Sequence, residues 1–299
     1  MLNSLIKWYL KYSQQPSVTP SDEGYSNFEC KSSDGVTIRG WSFVRKDMPL
    51  GGTLIWLHGF GGSASFCAPE WLYHIRTRLE REINRSFASV SFDFRGHGQS
   101  DYKTPALGIP ESWDCQAVLD LLDSFDFPKP YILIGESMGA MVAPHVARTD
   151  SRVRGCVCLM APSAPLEAMM TISKNYARFL APYLRRAGEV EYGSDVLLQG
   201  DMGFFDLEST AGNARFLYVI GDKDPFGWER TLKIWDHIYK ASGDMPYIDP
   251  VDATNQQKWF LKIPGADHNL APWGHAEQFY TICSFVKIVC GDLVKREPG

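Results

Sequence analysis

Ser137 stands in Ile132-Leu133-Ile134-Gly135-Glu136-Ser137-Met138-Gly139-Ala140, a short apolar run that stops at Gly-x-Ser-x-Gly and passes into a small-residue helix start. A serine hydroxyl so placed can attack a carbonyl carbon. The flanking glycines lack Cβ, so the backbone can turn sharply from strand to helix, lift Oγ out of the sheet and let Gly139 pack closely. The serine then lies exposed at a helix N-terminus, with space for oxyanion donors beside it. Gly-x-Ser-x-Gly alone is common in a chain with 26 glycines. What marks Ser137 as a nucleophile is the β-type run before it and the helical stretch after it, through Val142, His145 and Val146.

A serine hydroxyl needs a base within hydrogen-bond reach. His268 follows a late apolar run, in Ile263-Pro264-Gly265-Ala266-Asp267-His268-Asn269, and a loop position lets its imidazole reach another strand's end. The other histidines fit less well. His58 ends a strand, His97 sits in a Gly-rich turn, His145 lies inside the helix after Ser137, and His74, His237 and His275 fall in helical stretches. The base in turn needs a carboxylate to hold its tautomer. Asp224 and its rival Asp222 both leave the preceding strand in Ile220-Gly221-Asp222-Lys223-Asp224-Pro225, and Asp224 lies farther beyond the strand end. After the Val153–Met160 run the chain has Pro162 and Ser163, neither of which can serve as the acid. Two backbone amides complete the chemistry: Met138, after the nucleophile, and Phe60, in His58-Gly59-Phe60-Gly61-Gly62.

These residues must be held by alternating strands and helices, the pattern of a mostly parallel sheet with helices on both faces. Phe28–Lys31 and Thr37–Val44 read as an opening hairpin turned at Ser33-Asp34-Gly35. Strands follow at Thr53–Leu57, Ala88–Phe94, Ile132–Ile134, Val153–Met160, Arg215–Ile220 and Lys258–Ile263. Helices fall at Trp71–Ile83, Ser112–Ser124, from Ser137 to about Arg148, Trp228–Lys240 and Glu277–Val294, with a polar loop over Ser242–Gln257. The stretch from Ala161 to Asn213 has no clear strand and is too long for an ordinary crossover. It reads as a small helical cap, residues 162–213, inserted after strand six of eight into a core of residues 25–161 and 214–299. Its Met169, Met170, Phe179 and Tyr183 are the expected lining of an apolar pocket, with Tyr176, Phe204 and Phe205 nearby.

Residues 1–24 read as a leader helix and linker. Leu2, Leu5, Ile6, Tyr9 and Leu10 share a helical face opposite Lys7 and Lys11, which suits packing on the domain, with peripheral membrane contact by residues 1–12 as the alternative. The 299 residues suffice for one large α/β domain, and the net charge of −5 argues against a nucleic-acid partner. Arg76, Arg78, Arg81 and Arg85, interleaved with Glu80 and Glu82, read as a solvated helix face. Seven cysteines form no disulfide framework and no metal-ligand spacing, which points to a reducing, cytoplasmic setting without metal or organic cofactor. No stretch reaches the length of a membrane span, and no secretory signal is visible.

The chain resembles the α/β-hydrolase superfamily, in particular the branch of monoacylglycerol lipases, serine aminopeptidases and related esterases. The matching pieces are His58-Gly59-Phe60-Gly61, Asp93-Phe94-Arg95-Gly96-His97-Gly98-Gln99-Ser100, Gly135-Glu136-Ser137-Met138-Gly139, Gly221-Asp222-Lys223-Asp224 and Ala266-Asp267-His268. They run in the family's order over most of residues 25 to 295. Glu136 replaces a histidine often found before the family's serine, and Asp267 replaces the usual glycine before its histidine. The resemblance implies that Arg95 to Gly98 is a structural turn without a catalytic role.

The leading expectation is hydrolysis of a carboxylic ester or thioester of an apolar, acyl or aromatic small molecule through an acyl-Ser137 intermediate. The alternatives are hydrolysis of a carbon–carbon bond in a diketone-like substrate, an aminopeptidase using Glu136, Glu167 or Glu191 to hold an ammonium, and a slow-turnover ligand receptor. Oligomeric state is not legible.

Overall fold

Apolar runs rich in β-branched and aromatic residues assemble into one eight-stranded sheet ordered β1-β2-β4-β3-β5-β6-β7-β8. The computed structural model describes residues 25–45, 47–65, 68–162, 177–192, 213–225, 258–271 and 274–294. The strands are β1 (Tyr25–Lys31), β2 (Thr37–Phe43), β3 (Leu50–Leu57), β4 (Ser86–Asp93), β5 (Tyr131–Glu136), β6 (Val153–Leu159), β7 (Arg215–Gly221) and β8 (Lys258–Ile263). β1, β2 and β4 pair antiparallel, and every pairing from β4 through β3 to β8 is parallel. The described helices are α1 (Ala68–Ile83), α2 (Ile109–Ser124), α3 (Met138–Thr149), α4 (Ala177–Tyr192) and α5 (His275–Val294).

Side-chain alternation along the central strands explains the layering. Ile132 and Ile134 of β5 join Leu54, Trp56, Val157 and Leu217 under Leu72 and Ile75 of α1 and Phe285 and Val286 of α5. Tyr131 and Leu133 face the other way, with Ile55, Leu57 and Val90 against Val118 and Leu119 of α2 and Val142 and Val146 of α3. Strands covered on both faces carry apolar residues on both, as residues 54–57 of β3 and 131–134 of β5 do. Parallel order puts the carboxyl ends of β3, β5, β7 and β8 at one edge of the sheet, where their exit loops meet.

Several elements begin earlier than side-chain patterning suggests. β1 starts at Tyr25, β3 at Leu50, α1 at Ala68 and α5 at His275. The helix expected from Ser112 opens at Ile109, because the Glu111 carboxylate accepts the amides of Ala106 and Gly108 at 2.8 and 2.7 Å. Arg76 is not on a solvated face: it is buried, its guanidinium lies 3.7 Å from the Phe43 ring centroid, and Glu80 is 3.8 Å away. Arg81 and Arg85 are exposed, and Arg78 is paired with Glu82 at 2.6 Å. The expected leader helix, the Trp228–Lys240 helix and the 242–257 loop lie outside the described residues. No helix among the described residues is long and apolar enough to cross a membrane.

Between β6 and β7 the described chain contains α4, whose C-terminal end is fastened to the loop after β4. The Tyr192 hydroxyl donates to the Thr104 carbonyl at 2.7 Å, and Glu191 accepts the Thr104 amide at 3.1 Å. Beneath them Arg95 is fully buried, with Nη2 2.6 Å from Asp114 and Nη1 2.8 Å from Asp34. The 95–98 turn is therefore the floor on which the end of α4 rests.

Candidate active site

Ser137 is the single residue between β5 and α3, and it takes φ 50 and ψ −107, a strained conformation for a residue with a Cβ. The turn holds because its amide donates to Leu159 O at 2.9 Å and its carbonyl accepts from Ala140 N at 3.1 Å. α3 also packs directly on β3: a Cβ on Gly139 would lie 2.0 Å from Leu57 O. Strain at one residue is tolerated because the surrounding backbone over-determines it.

Two loops bring partners to the serine. The turn after β7 carries Asp224, which is buried, and the loop after β8 carries His268. His268 Nε2 lies 3.1 Å from Ser137 Oγ, while its Nδ1 is 2.9 Å from each carboxylate oxygen of Asp224. A carboxylate at Nδ1 places the proton there, so Nε2 is left as the acceptor for the serine O–H. Asp222, the rival acid, is engaged elsewhere, its Oδ1 accepting the Gly265 amide at 2.6 Å. With Lys223 N donating to Ala266 O at 2.9 Å, that bond joins the exits of β7 and β8 and sets their relative height.

The loop after β3 passes beside the serine: a Cβ on Gly59 would sit 3.3 Å from Ser137 Cβ. Phe60 and Met138 both lie at this junction, and among the described residues neither amide N–H has a hydrogen-bond partner. Two unpaired donors flanking a nucleophile are the requirement for stabilising an oxyanion.

The two departures from the family pattern have different fates. Asp267 turns into its own loop, where its carboxylate accepts the amides of Asn269 and Ala271 at 2.8 and 3.2 Å. Glu136 is half-buried and its carboxyl makes no hydrogen bond among the described residues; burial holds that carboxyl above the usual range, and the nearby His268 pulls it partly back. Glu191, considered for ammonium binding, is committed to Thr104. Of the expected pocket residues, Tyr183 is half-buried on α4 and Phe179 lies on the same helix, while Met169, Met170 and Glu167 lie outside the described residues. The buried contacts of His58 and His97 were not anticipated from their sequence positions.

The family model described as the alpha/beta hydrolase family matches residues 54–282. No curated protein matches this chain in sequence. An esterase of Pyrococcus furiosus, Pf2001, superposes with a TM-score of 0.65 at 20% identity, covering 91% of this chain and 94% of its own. Est1E from Butyrivibrio proteoclasticus, solved with ferulic acid bound, gives a TM-score of 0.56 at 17% identity, with 89% and 98% covered. A serine hydrolase without lid from Xanthomonas campestris, XC6422, gives 0.54 at 14% identity, with 93% and 98% covered. With three quarters of its length spanned by the family model and its strand order matching that architecture, the chain belongs to the alpha/beta hydrolase family.

Proposed function

We propose that the protein is a serine hydrolase that cleaves a carboxylic ester or thioester with an apolar acyl or aromatic group. The observation that carries this reading is the continuous hydrogen-bonded line from Ser137 Oγ through His268 to Asp224. His268 Nε2 takes the serine proton as Oγ attacks the carbonyl carbon, and Asp224 stabilises the imidazolium that forms. The amides of Phe60 and Met138 receive the developing oxyanion. His268 then gives the proton to the departing alcohol or thiol, leaving acyl-Ser137. Water, deprotonated by the same nitrogen, attacks the acyl carbon and releases the acid. Residues 162–213 form the cap over this centre in our reading, with Met169, Met170, Phe179 and Tyr183 supplying apolar contacts to the acyl group.

The test is hydrolysis of p-nitrophenyl butyrate by the purified protein and by Ser137→Ala. Loss of turnover in the variant is expected, and undiminished turnover would refute the assignment. One observation favours a second reading, removal of an amino-terminal residue: the carboxyl of Glu136, beside the nucleophile, has no hydrogen-bond partner among the described residues and could meet an ammonium group. Turnover of aminoacyl-naphthylamides without ester turnover would favour that reading over ours.

A further inference from the structure

We infer that His58 and His97 form a neutral two-imidazole brace that aims the Phe60 amide at the oxyanion position, an inference resting on the serine-hydrolase reading above. The loop that carries Phe60 has glycines at 59, 61 and 62, and Gly61 takes φ +77. Such a segment has little side-chain packing of its own, and its backbone entropy opposes any single orientation of the donor. Within the loop one turn bond, Gly62 N to Gly59 O at 2.9 Å, holds it. Beside the packing of the Phe60 ring against the core, the two imidazoles restrain it from outside.

His58 Nδ1 lies 2.7 Å from the Gly59 carbonyl oxygen. That carbonyl and the Phe60 N–H belong to one planar trans peptide and point in opposite directions. Holding the oxygen toward His58 therefore holds the N–H away from it. The next peptide is fixed from the adjacent loop, because the Gly61 N–H donates to His97 Nε2 at 3.2 Å. His97 also meets Phe60 edge-on, with ring centroids 5.5 Å apart.

Backbone partners dictate both tautomers. His58 Nε2 accepts the Phe94 N–H at 3.0 Å, so it carries no proton, and Nδ1 must be the donor to Gly59. His97 Nε2 accepts from Gly61, so its Nδ1–H donates to Arg95 O at 2.9 Å. Each imidazole thus spends its one donor and one acceptor on the main chain, and neither is available as a base. The rings lie 5.1 Å apart and are shut off from solvent. Together they join the exit loop of β3 to that of β4. Burial supports the neutral form of both, pulling His58 down to about 4 and His97 to about 3.

These are positioning residues, and the test reads transition-state stabilisation. With p-nitrophenyl butyrate, His58→Phe is expected to lower kcat about 10- to 100-fold with KM little changed. Affinity for a trifluoromethyl ketone, whose adduct oxygen sits on the same amides, should fall by the same factor. His58→Asn, which keeps a donor near the Nδ1 position, should recover most of the loss. Active wild type, inactive Ser137→Ala and fully active, folded His58→Phe would overturn the brace alone. A Ser137→Ala variant as active as wild type would overturn the underlying reading and the brace with it. A measurement on the unmodified protein does not depend on the variants folding: nitrogen-15 shifts of both imidazoles at pH 7 should report the neutral Nδ1–H tautomer. An Nε2–H tautomer or an imidazolium at either position would overturn the proposal.

Discussion

Asp222 accepts the Gly265 amide at 2.6 Å, and with that residue committed to the β8 loop, Asp224 is the carboxylate that faces His268. Two aspartates separated by Lys223 thus perform different tasks, one joining two strand exits and the other meeting the imidazole. Replacing Asp224 by Asn keeps the shape but presents an N–H to Nδ1, which forces the proton onto Nε2 and away from its acceptor role. Asp224→Asn should therefore lower kcat by about 10⁴-fold, whereas Asp222→Asn should stay within about tenfold of wild type. Steady-state kinetics on p-nitrophenyl butyrate check both, and equal losses would contradict this division of labour.

The close approach of α3 to β3 predicts a large stability effect from one methyl group. A Cβ on Gly139 would meet backbone at 2.0 Å, where no side chain can give way. Gly139→Ala should cost about 3 kcal/mol or more, read as a fall in the urea midpoint. An unchanged midpoint would show that the strand and helix can separate freely.

Acid should destabilise the fold through the two buried imidazoles. Their folded values, about 4 for His58 and about 3 for His97, lie below the ordinary histidine value, so the unfolded chain binds more protons as pH falls. This contribution is complete above about pH 6.5 and is lost as pH drops toward the folded values. At pH 5 each histidine should account for about 2 kcal/mol of lost stability. Denaturant melts at pH 7 and pH 5 measure the drop, and in His97→Gln the drop should be smaller by about 2 kcal/mol. An identical drop in that variant would remove His97 from the account.

The hold on α4 can be loosened at one hydroxyl. Tyr192→Phe removes the 2.7 Å bond to Thr104 O while keeping the ring against Trp113 and Lys103. A bond of this kind contributes about 1 kcal/mol, so amide exchange in the last turn of α4 should speed up about fivefold. Unchanged exchange would mean that Glu191 and the ring contacts alone hold the helix end.

The legible parts of this chain are those whose physics is local. The strand, turn and helix around Ser137 could be read from neighbouring residues, because two glycines and an apolar run act within a few positions. The same is true of the parallel core, where β3 and β5 are apolar on both faces. Arg76 escapes a charge-based reading because the Phe43 ring that covers its guanidinium comes from β2, although Glu80 is one turn along the same helix. His58 and His97 gave no signal of their joint task, since one partner of each is a main-chain amide 36 residues away.

By itself the sequence determined the order of elements and the strand-to-helix turn at Ser137, because propensity and glycine sterics operate over a handful of residues. Tertiary structure decided how Asp222 and Asp224 divide their tasks and which amides are left unpaired. Those outcomes depend on the relative height of strand exits and on hydrogen bonds between loops 36 to 44 residues apart. Loop-to-loop geometry of that kind is set by the packed sheet and leaves no trace in the local residue pattern.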